Sequence, residues 1–261
     1  MINFIKKLIH KIFDHYGYKI ELAEIYYVAR PVQPDDILKK HLEIINTNTM
    51  VSIEGLISLY DQIKYLEENN ISGDFVECGV WKGGCVGLMA LANKRYGKKN
   101  RNLHLFDSFQ DIPEPQEGID GDLAIKQSME WSDGGKSGEM RPLHGFYDIF
   151  GGHGTLQDCK ELIEGKIEYP SNLIKYNTGW FNETIPNNEI QSIALLRLDS
   201  DWYESTKMCL EYLESKVVKN GFIIIDDYGT YDGCKKAVDE YFPNYFFHRV
   251  NQDIIYLVKN H

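Results

Sequence analysis

At 261 residues and a formal net charge of −11, the chain is long enough to bury a sizeable core, and it lacks the positive field of a nucleic-acid binder, which excludes that class of partner. Its five cysteines (Cys78, Cys85, Cys159, Cys209, Cys234) are odd in number and show neither CxxC nor histidine-linked spacing, against a disulfide framework or a zinc site and in favour of free thiols in a reducing cytoplasm. The acidity instead suits cation binding.

The first segment, MINFIKKLIHKIFDHYGYKI, sets Ile5, Leu8, Ile9, Ile12 and Tyr16 at helical spacing, with lysines on the remaining surface. Lys6, Lys7 and Lys11 interrupt every apolar run, so residues 1–20 are neither a signal sequence nor a membrane span. A basic amphipathic helix of this kind can lie on a membrane surface, pack on a second subunit or dock on its own domain. RPVQPDD (30–36) then reads as a linker. Residues 1–36 form an arm, and residues 37–261 one main domain.

Beyond the linker, helical and strand-like patterns alternate. A helix is expected over TMVSIEGLISLYDQIKYLEENN, a strand at DFVECGV, a helix over GGCVGLMALANKRYG and a second strand at NLHLFD. A long polar stretch follows, then strands at NLIKYN, IALLRLD and GFIIID, separated by the helical patterns YESTKMCLEYLESKV and YDGCKKAVDEYF. YFFHRV and DIIYLVK close the chain as a hairpin. The order implies an α/β fold with a mostly parallel sheet, helices on both faces and an antiparallel C-terminal hairpin. Ligands of such sheets collect beyond the carboxyl ends of the strands. Asp107, Asp199 and the pair Asp226 and Asp227 stand at such ends, with Glu77 near a fourth.

VECGVWKGG joins a strand to a helix through glycines that let backbone approach a ligand closely. It lacks the GxGxxG of nicotinamide enzymes. An acid inside the strand and the wider glycine spacing suit a ligand without pyrophosphate, such as S-adenosylmethionine. About thirty residues on, Asp107 stands where an acid can accept both ribose hydroxyl protons.

LLRLDSDWYEST supplies Asp199 and Asp201, which point the same way if the chain is still extended there. Adjacent Asp226 and Asp227 can face one site only if the strand ends and the chain turns, which Tyr228 and Gly229 permit. Four carboxylates at neighbouring strand ends repel one another unless a cation is bound. All-oxygen ligation favours Mg²⁺ and leaves calcium and manganese open. Such an ion could bind a substrate hydroxyl and lower its pKa, with Asp201 best suited to take the proton as general base. The competing reading is that Asp201 or Asp227 caps the following helix.

Taken together, GDFVECGVWKGG, LFDSFQDIPEP, YNTGWFNETIP, LLRLDSDWYEST and GFIIIDDYG resemble the macrocin O-methyltransferase family, from TNTMVSIEGL to KKAVDEYF. The resemblance implies a class I methyltransferase fold, Rossmann-like with a seven-stranded sheet, S-adenosylmethionine and Mg²⁺. It places Glu77, Gly79, Val80, Trp81, Gly83, Asp107 and Ser108 around the cofactor, with Met50 and Ser52 at its methionine end. It makes Asp199, Asp226 and Asp227 the metal ligands and Asp201 the base, and it sets Trp180 near the active site, as a pocket wall or a core residue. With the amphipathic arm, it favours a dimer or larger assembly.

Lys82 departs from the family's usual arginine, and Ser200 from its glycine. Residues 118–155 are longer and richer in glycine than in the antibiotic enzymes, and read as a substrate loop or lid that argues against a macrolide acceptor. His144 and His153 in that segment are candidates for a second base or a sugar contact, and Thr155 with Asp158 starts the next helix. The function expected is Mg²⁺-dependent methylation of a sugar hydroxyl on a surface glycan, a nucleotide-linked sugar or a glycosylated metabolite. The enzyme would be cytoplasmic, or peripheral at the membrane through residues 1–20. The alternatives are a catechol or phenol O-methyltransferase of the same fold, a non-catalytic metal-dependent carbohydrate-binding protein, and a nucleotide-sugar oxidoreductase, which the missing GxGxxG disfavours.

Overall fold

The computed structural model describes residues 34–260. The amphipathic helix expected over residues 1–20, and with it any contact to a membrane or a second subunit, lies outside the described residues. Among those described, no helix is long and apolar enough to cross a membrane.

Helices α1 (Asp36–Ile45) and α2 (Ile53–Glu68) precede strand β1 (Asp74–Cys78), α3 (Gly84–Tyr96) and β2 (Leu103–Asp107). Next come α4 (Asp122–Trp131), α5 (Leu156–Lys160), which continues as a wider π turn over Glu161–Lys166, β3 (Ile174–Thr178) and the short α6 (Phe181–Thr184). The C-terminal half holds β4 (Ile193–Leu198), α7 (Tyr203–Leu213), β5 (Val217–Ile225), α8 (Asp232–Tyr241), β6 (His248–Arg249) and β7 (Ile255–Val258). The seven strands form one sheet in the order β3-β2-β1-β4-β5-β7-β6, parallel except for β7. Among the described residues the expected strands and helices are present, the antiparallel C-terminal hairpin among them.

Strand alternation divides the core in two. Phe75, Leu105, Leu195, Phe222 and Ile224 face one side and pack with α2 and α3 residues such as Leu59, Ile63 and Leu88. Val76, Phe106, Leu196, Ile223 and Ile225 face the other, against Leu210 and Leu213 of α7 and Val238 of α8. With both faces covered, β4 is buried at every position, and the charged Arg197 is one of them. Winding reverses between β1 and β4, whose last residues Cys78 and Leu198 are paired. The loops that follow diverge and open a crevice at that point.

Segment 118–155 is not a plain loop, since α4 lies within it. The buried residues of α4 are Ala124 and Ser128, one helical turn apart, and such small residues leave no hydrophobic period to read. The later part of the segment ends as expected, in a capping box between Thr155 and Asp158 that starts α5.

After β5 the chain turns at once, with the amides of Thr230 and Tyr231 both donating to the Asp227 carbonyl. Gly229 serves this turn through closeness. Its amide donates to the Asp253 carbonyl at 3.0 Å, and a Cβ there would lie 1.9 Å from the Gln252 carbonyl oxygen. Gly229→Ala should therefore destabilise the chain by about 3 kcal/mol, the upper end for single substitutions. Thermal unfolding should show a fall in Tm of roughly 6–12 °C, and an unchanged Tm would show that the turn does not need this contact.

Candidate active site

The site is assembled around Arg197, whose side chain is only 3% exposed. Arg197 and Glu77 are register partners on adjacent strands and project to the same face. Arg197 Nη1 donates to Glu77 Oε1 at 2.6 Å and to Asp199 Oδ2 at 2.9 Å, while Nη2 donates to Asp226 Oδ1. Sequence reasoning missed this residue because LLRLD reads as a strand whatever its third position holds. The available signal was a lone charge inside an otherwise apolar buried run. Arg197 also corrects the charge argument, since part of the cation that the carboxylates need is built into the chain.

One ligand oxygen from each of Asp199, Asp226 and Asp227 lies within 4.8 Å of the others. Arg197 occupies one oxygen of Asp199 and one of Asp226, and Asp227 Oδ2 accepts the Asp201 amide at 3.2 Å. Each of the three carboxylates thus keeps a second oxygen without a hydrogen bond among the described residues. Burial is the main reason the Asp226 carboxyl is pushed up to about 7, partly offset by Arg197 and reinforced by Asp199. The carboxyl of Asp227 is raised well above the usual range by burial and then by Asp201, Asp199 and Asp226.

Asp201 joins this group by a different route from the one expected. β4 ends at Leu198, and Asp201 sits at φ 54°, so the chain is no longer extended and the residue does not simply repeat the direction of Asp199. Its carboxyl is raised by burial, then by Asp199 and Asp226. Neither Asp201 nor Asp227 caps a helix. The first amide of α7, from Tyr203, is instead held by Asp120 Oδ1 at 2.8 Å, and α8 has no side-chain cap. Ser200, the departure from glycine, is buried and bonded to Thr206 Oγ1 at 2.9 Å.

On the other side of the crevice, Gly79 has φ 81° and passes so close to Asp199 that a Cβ would lie 1.7 Å from its carbonyl oxygen. Asp107 Oδ2 accepts the amides of Val80 at 2.6 Å and Trp81 at 3.1 Å, and Oδ1 accepts that of Phe109 at 2.6 Å. Asp107 therefore braces the β1–α3 loop, and most of its acceptor capacity is already engaged. Burial raises its carboxyl while these amides oppose the shift. Gly83 is the left-handed N-cap of α3. Glu77 Oε2 is buried with no hydrogen-bond partner among the described residues, and burial pushes the Glu77 carboxyl up to about 8. Ser52 is the N-cap of α2, accepting from the Gly55 amide at 3.2 Å and from Asn251 Nδ2 at 2.9 Å.

A cleft opens over these groups. Met50, Gly79, Trp81, Asp107, Ser108, Asp199 and Asp201 line it, and Trp180 is one of its walls, as the pocket reading expected. Asp226 and Asp227 do not line this cleft, so Asp199 is the candidate ligand that meets it, while Asp226 lines a small separate cavity with Arg197. The segment after α4 adds Met140 and Tyr147. The Tyr147 hydroxyl is shifted well up by burial, then by Asp201 and Asp199. Tyr147 stands in irregular chain, where no periodic signal marks it. His144 and His153 do not line the cleft; His153 Nδ1 lies 3.8 Å from Asp111 Oδ2. The same segment is fastened to the glycine loop by Trp81 Nε1, which donates to the Gly152 carbonyl at 3.1 Å, and by Lys82 Nζ, which donates to the Gly151 carbonyl at 2.9 Å.

This strand order, with a glycine loop after β1 and acids at the ends of β2 and β4, defines a class I methyltransferase. Residues 44–135 and 166–257 match the profile of the family described as macrocin-O-methyltransferase (TylF), and the chain belongs to that family, as an O-methyltransferase. It is 33% identical over 198 residues to the demethyldecarbamoylnovobiocin O-methyltransferase of Streptomyces niveus, covering 75% of this chain and 68% of the relative. It is 32% identical over 199 residues to the 8-demethyl-8-(2,3-dimethoxy-alpha-L-rhamnosyl)-tetracenomycin-C 4'-O-methyltransferase of Streptomyces olivaceus, covering 76% and 69%. The solved structure of the O-methyltransferase NovP superposes with a TM-score of 0.67 at 27% identity, covering 82% of this chain and 83% of that one.

The raised carboxyls have a consequence for stability. A carboxylate whose folded pKa is raised stabilises the fold below its ordinary pKa and loses that contribution as pH rises through the folded value. For Asp226 the window runs from 3.8 to about 7. Without divalent ions, Asp227→Asn should match the wild type in Tm near pH 4. It should exceed it by roughly 2–4 °C near pH 8, for about 1 kcal/mol of relieved repulsion. Equal melting curves at both values would show that the acids do not strain one another.

Proposed function

We propose that the chain is a Mg²⁺-dependent, S-adenosylmethionine-dependent O-methyltransferase acting on a sugar hydroxyl. The observation that carries the ion is the trio Asp199, Asp226 and Asp227, each with an oxygen that has no hydrogen bond among the described residues. An all-oxygen donor set of this kind fits a hard divalent cation. The buried, unpartnered Glu77 Oε2 suits a cationic amino group, which favours S-adenosylmethionine beside the glycine loop. When bound, the ion would hold an acceptor hydroxyl and lower its pKa, and the cofactor would supply the methyl group.

The chain's own residues do the rest. Gly79 and Trp81 form the cofactor side of the cleft, with Asp107 bracing their loop. Asp201 is the general base, since it lines the cleft and is not placed in the ion trio. Tyr147, Trp180 and Phe181 offer flat apolar faces to a sugar ring and exclude water from the transfer. In-line transfer to oxygen depends mainly on positioning.

Relatives whose names specify a rhamnosyl tetracenomycin and mycinamicin III favour a glycosylated acceptor. The two stretches matched to the family leave out residues 136–165, which supply Met140, Tyr147 and Gly154 to the cleft wall. Part of the acceptor wall therefore lies outside the family match while Trp180 and Phe181 lie inside it, in keeping with an acceptor other than a macrolide.

Isothermal calorimetry with S-adenosylmethionine in the presence of Mg²⁺ should give saturable binding, and a flat titration would end the reading. A panel of glycosides and activated sugars should yield methyl transfer that EDTA abolishes and Mg²⁺ restores; chelator-resistant turnover would remove the ion from the reaction. Asp201→Asn should bind the cofactor normally while kcat falls by about 10² or more. Near-normal turnover in that variant would leave the base elsewhere.

A further inference from the structure

We propose that Arg197 is the positioning residue of the ion site: by holding one oxygen of Asp199 and one of Asp226, it aims their remaining oxygens at a shared cation with Asp227. The inference rests on the ion-binding reading above.

Asp199 follows β4 and Asp226 follows β5, so the two carboxylates sit where chains leave the sheet and side chains have most freedom. Arg197 lies inside β4, paired in register with Glu77 on one side and Ile224 on the other. Its fork reaches both aspartates at once, from Nη1 to Asp199 and from Nη2 to Asp226, while Nη1 also engages Glu77. A planar guanidinium can hold several carboxylates in fixed directions, whereas an ammonium is a point charge with no such fork. The guanidinium side chain is 3% exposed, while Asp199 and Asp226 are 33% and 17% exposed, so solvent meets these bonds from the carboxylate side only. The result is an acidic trio with one oxygen each of Asp199 and Asp226 committed to a buried strand, one of Asp227 to the Asp201 amide, and the remaining three without a hydrogen bond among the described residues.

Two roles for this guanidinium predict opposite signs. If Arg197 only offset charge, removing its cation would leave a more negative site, and a divalent ion would bind more tightly. A charge-conserving replacement would then change little. If Arg197 aligns the ligands, both replacements weaken the ion, because the carboxylates lose their direction even where the charge is kept.

The test is ion binding followed by calorimetry with Mg²⁺ and by electron paramagnetic resonance with Mn²⁺, on the full chain and on Arg197→Lys and Arg197→Gln, with circular dichroism to confirm folding. Roughly tenfold weaker binding by Arg197→Lys is expected, about 1.4 kcal/mol, and weaker binding still by Arg197→Gln. Unchanged affinity in the lysine variant, or tighter binding in the glutamine variant, overturns the proposal. Wild-type protein that gives no binding signal with either ion overturns the ion reading itself, and this inference with it. Arginine ¹⁵N spectra of the wild type keep the question decidable if neither variant folds. The Arg197 guanidinium signals should be rotationally hindered before any ion is added and should shift when Mg²⁺ saturates. Signals that become hindered only after Mg²⁺ is added overturn the proposal.

Discussion

Arg197 occupies a strand buried along its whole length, and a cation there must be paired or the fold loses several kcal/mol. Its partners are fixed by topology. Glu77 is its neighbour across β1, and Asp199 and Asp226 stand where β4 and β5 end. Pairing is incomplete in both directions, since Glu77, Asp199, Asp226 and nearby Asp227 together exceed one guanidinium. The excess negative charge is what raises the carboxyls of Asp226 and Asp227 beyond the effect of burial, and it is what a bound cation would relieve. Stability therefore draws on the same few side chains that would hold an ion.

Sheet geometry explains why these groups meet at all. Parallel strands deliver their carboxyl ends to one edge, and reversal of winding between β1 and β4 keeps that edge from being covered by a crossover. Closeness then dictates glycine in two places. Gly79 lets the loop after β1 pass against the Asp199 carbonyl, and Gly229 lets the turn after β5 press on the connection between β6 and β7. The second contact reaches the site directly. It turns the chain so that Asp226 and Asp227, which face opposite ways in a strand, can both serve one point.

Strand ends with acids were legible in the sequence because apolar runs terminate in charges at three places, with Glu77 just inside a fourth, and the alternation of elements implied the sheet. The same reasoning stopped short of Arg197, since a strand pattern says which residues are buried and not which of them neutralise one another. It also assigned Asp201 a direction that held only while the chain stayed extended, and the left-handed residue at that position removes the condition. Ser52 carries a related lesson. A serine near a cofactor motif and a serine that caps a helix look alike in sequence, and here the hydroxyl accepts the Gly55 amide. The helix inside 118–155 stayed hidden because alanine and serine are its buried residues.

That segment also joins two functions that could have been separate. Trp81 and Lys82 belong to the loop after β1, yet their polar atoms are spent on the carbonyls of Gly152 and Gly151. Lysine suffices at position 82, because a single carbonyl needs one donor and not a fork. Trp81 nonetheless lines the cleft, so one lining residue is held by the segment that supplies another, Tyr147. A substitution that moves residues 136–165 would therefore disturb the loop after β1 as well. Residues 136–165 stand outside the two stretches matched to the family, yet they are anchored to a loop that stands inside them.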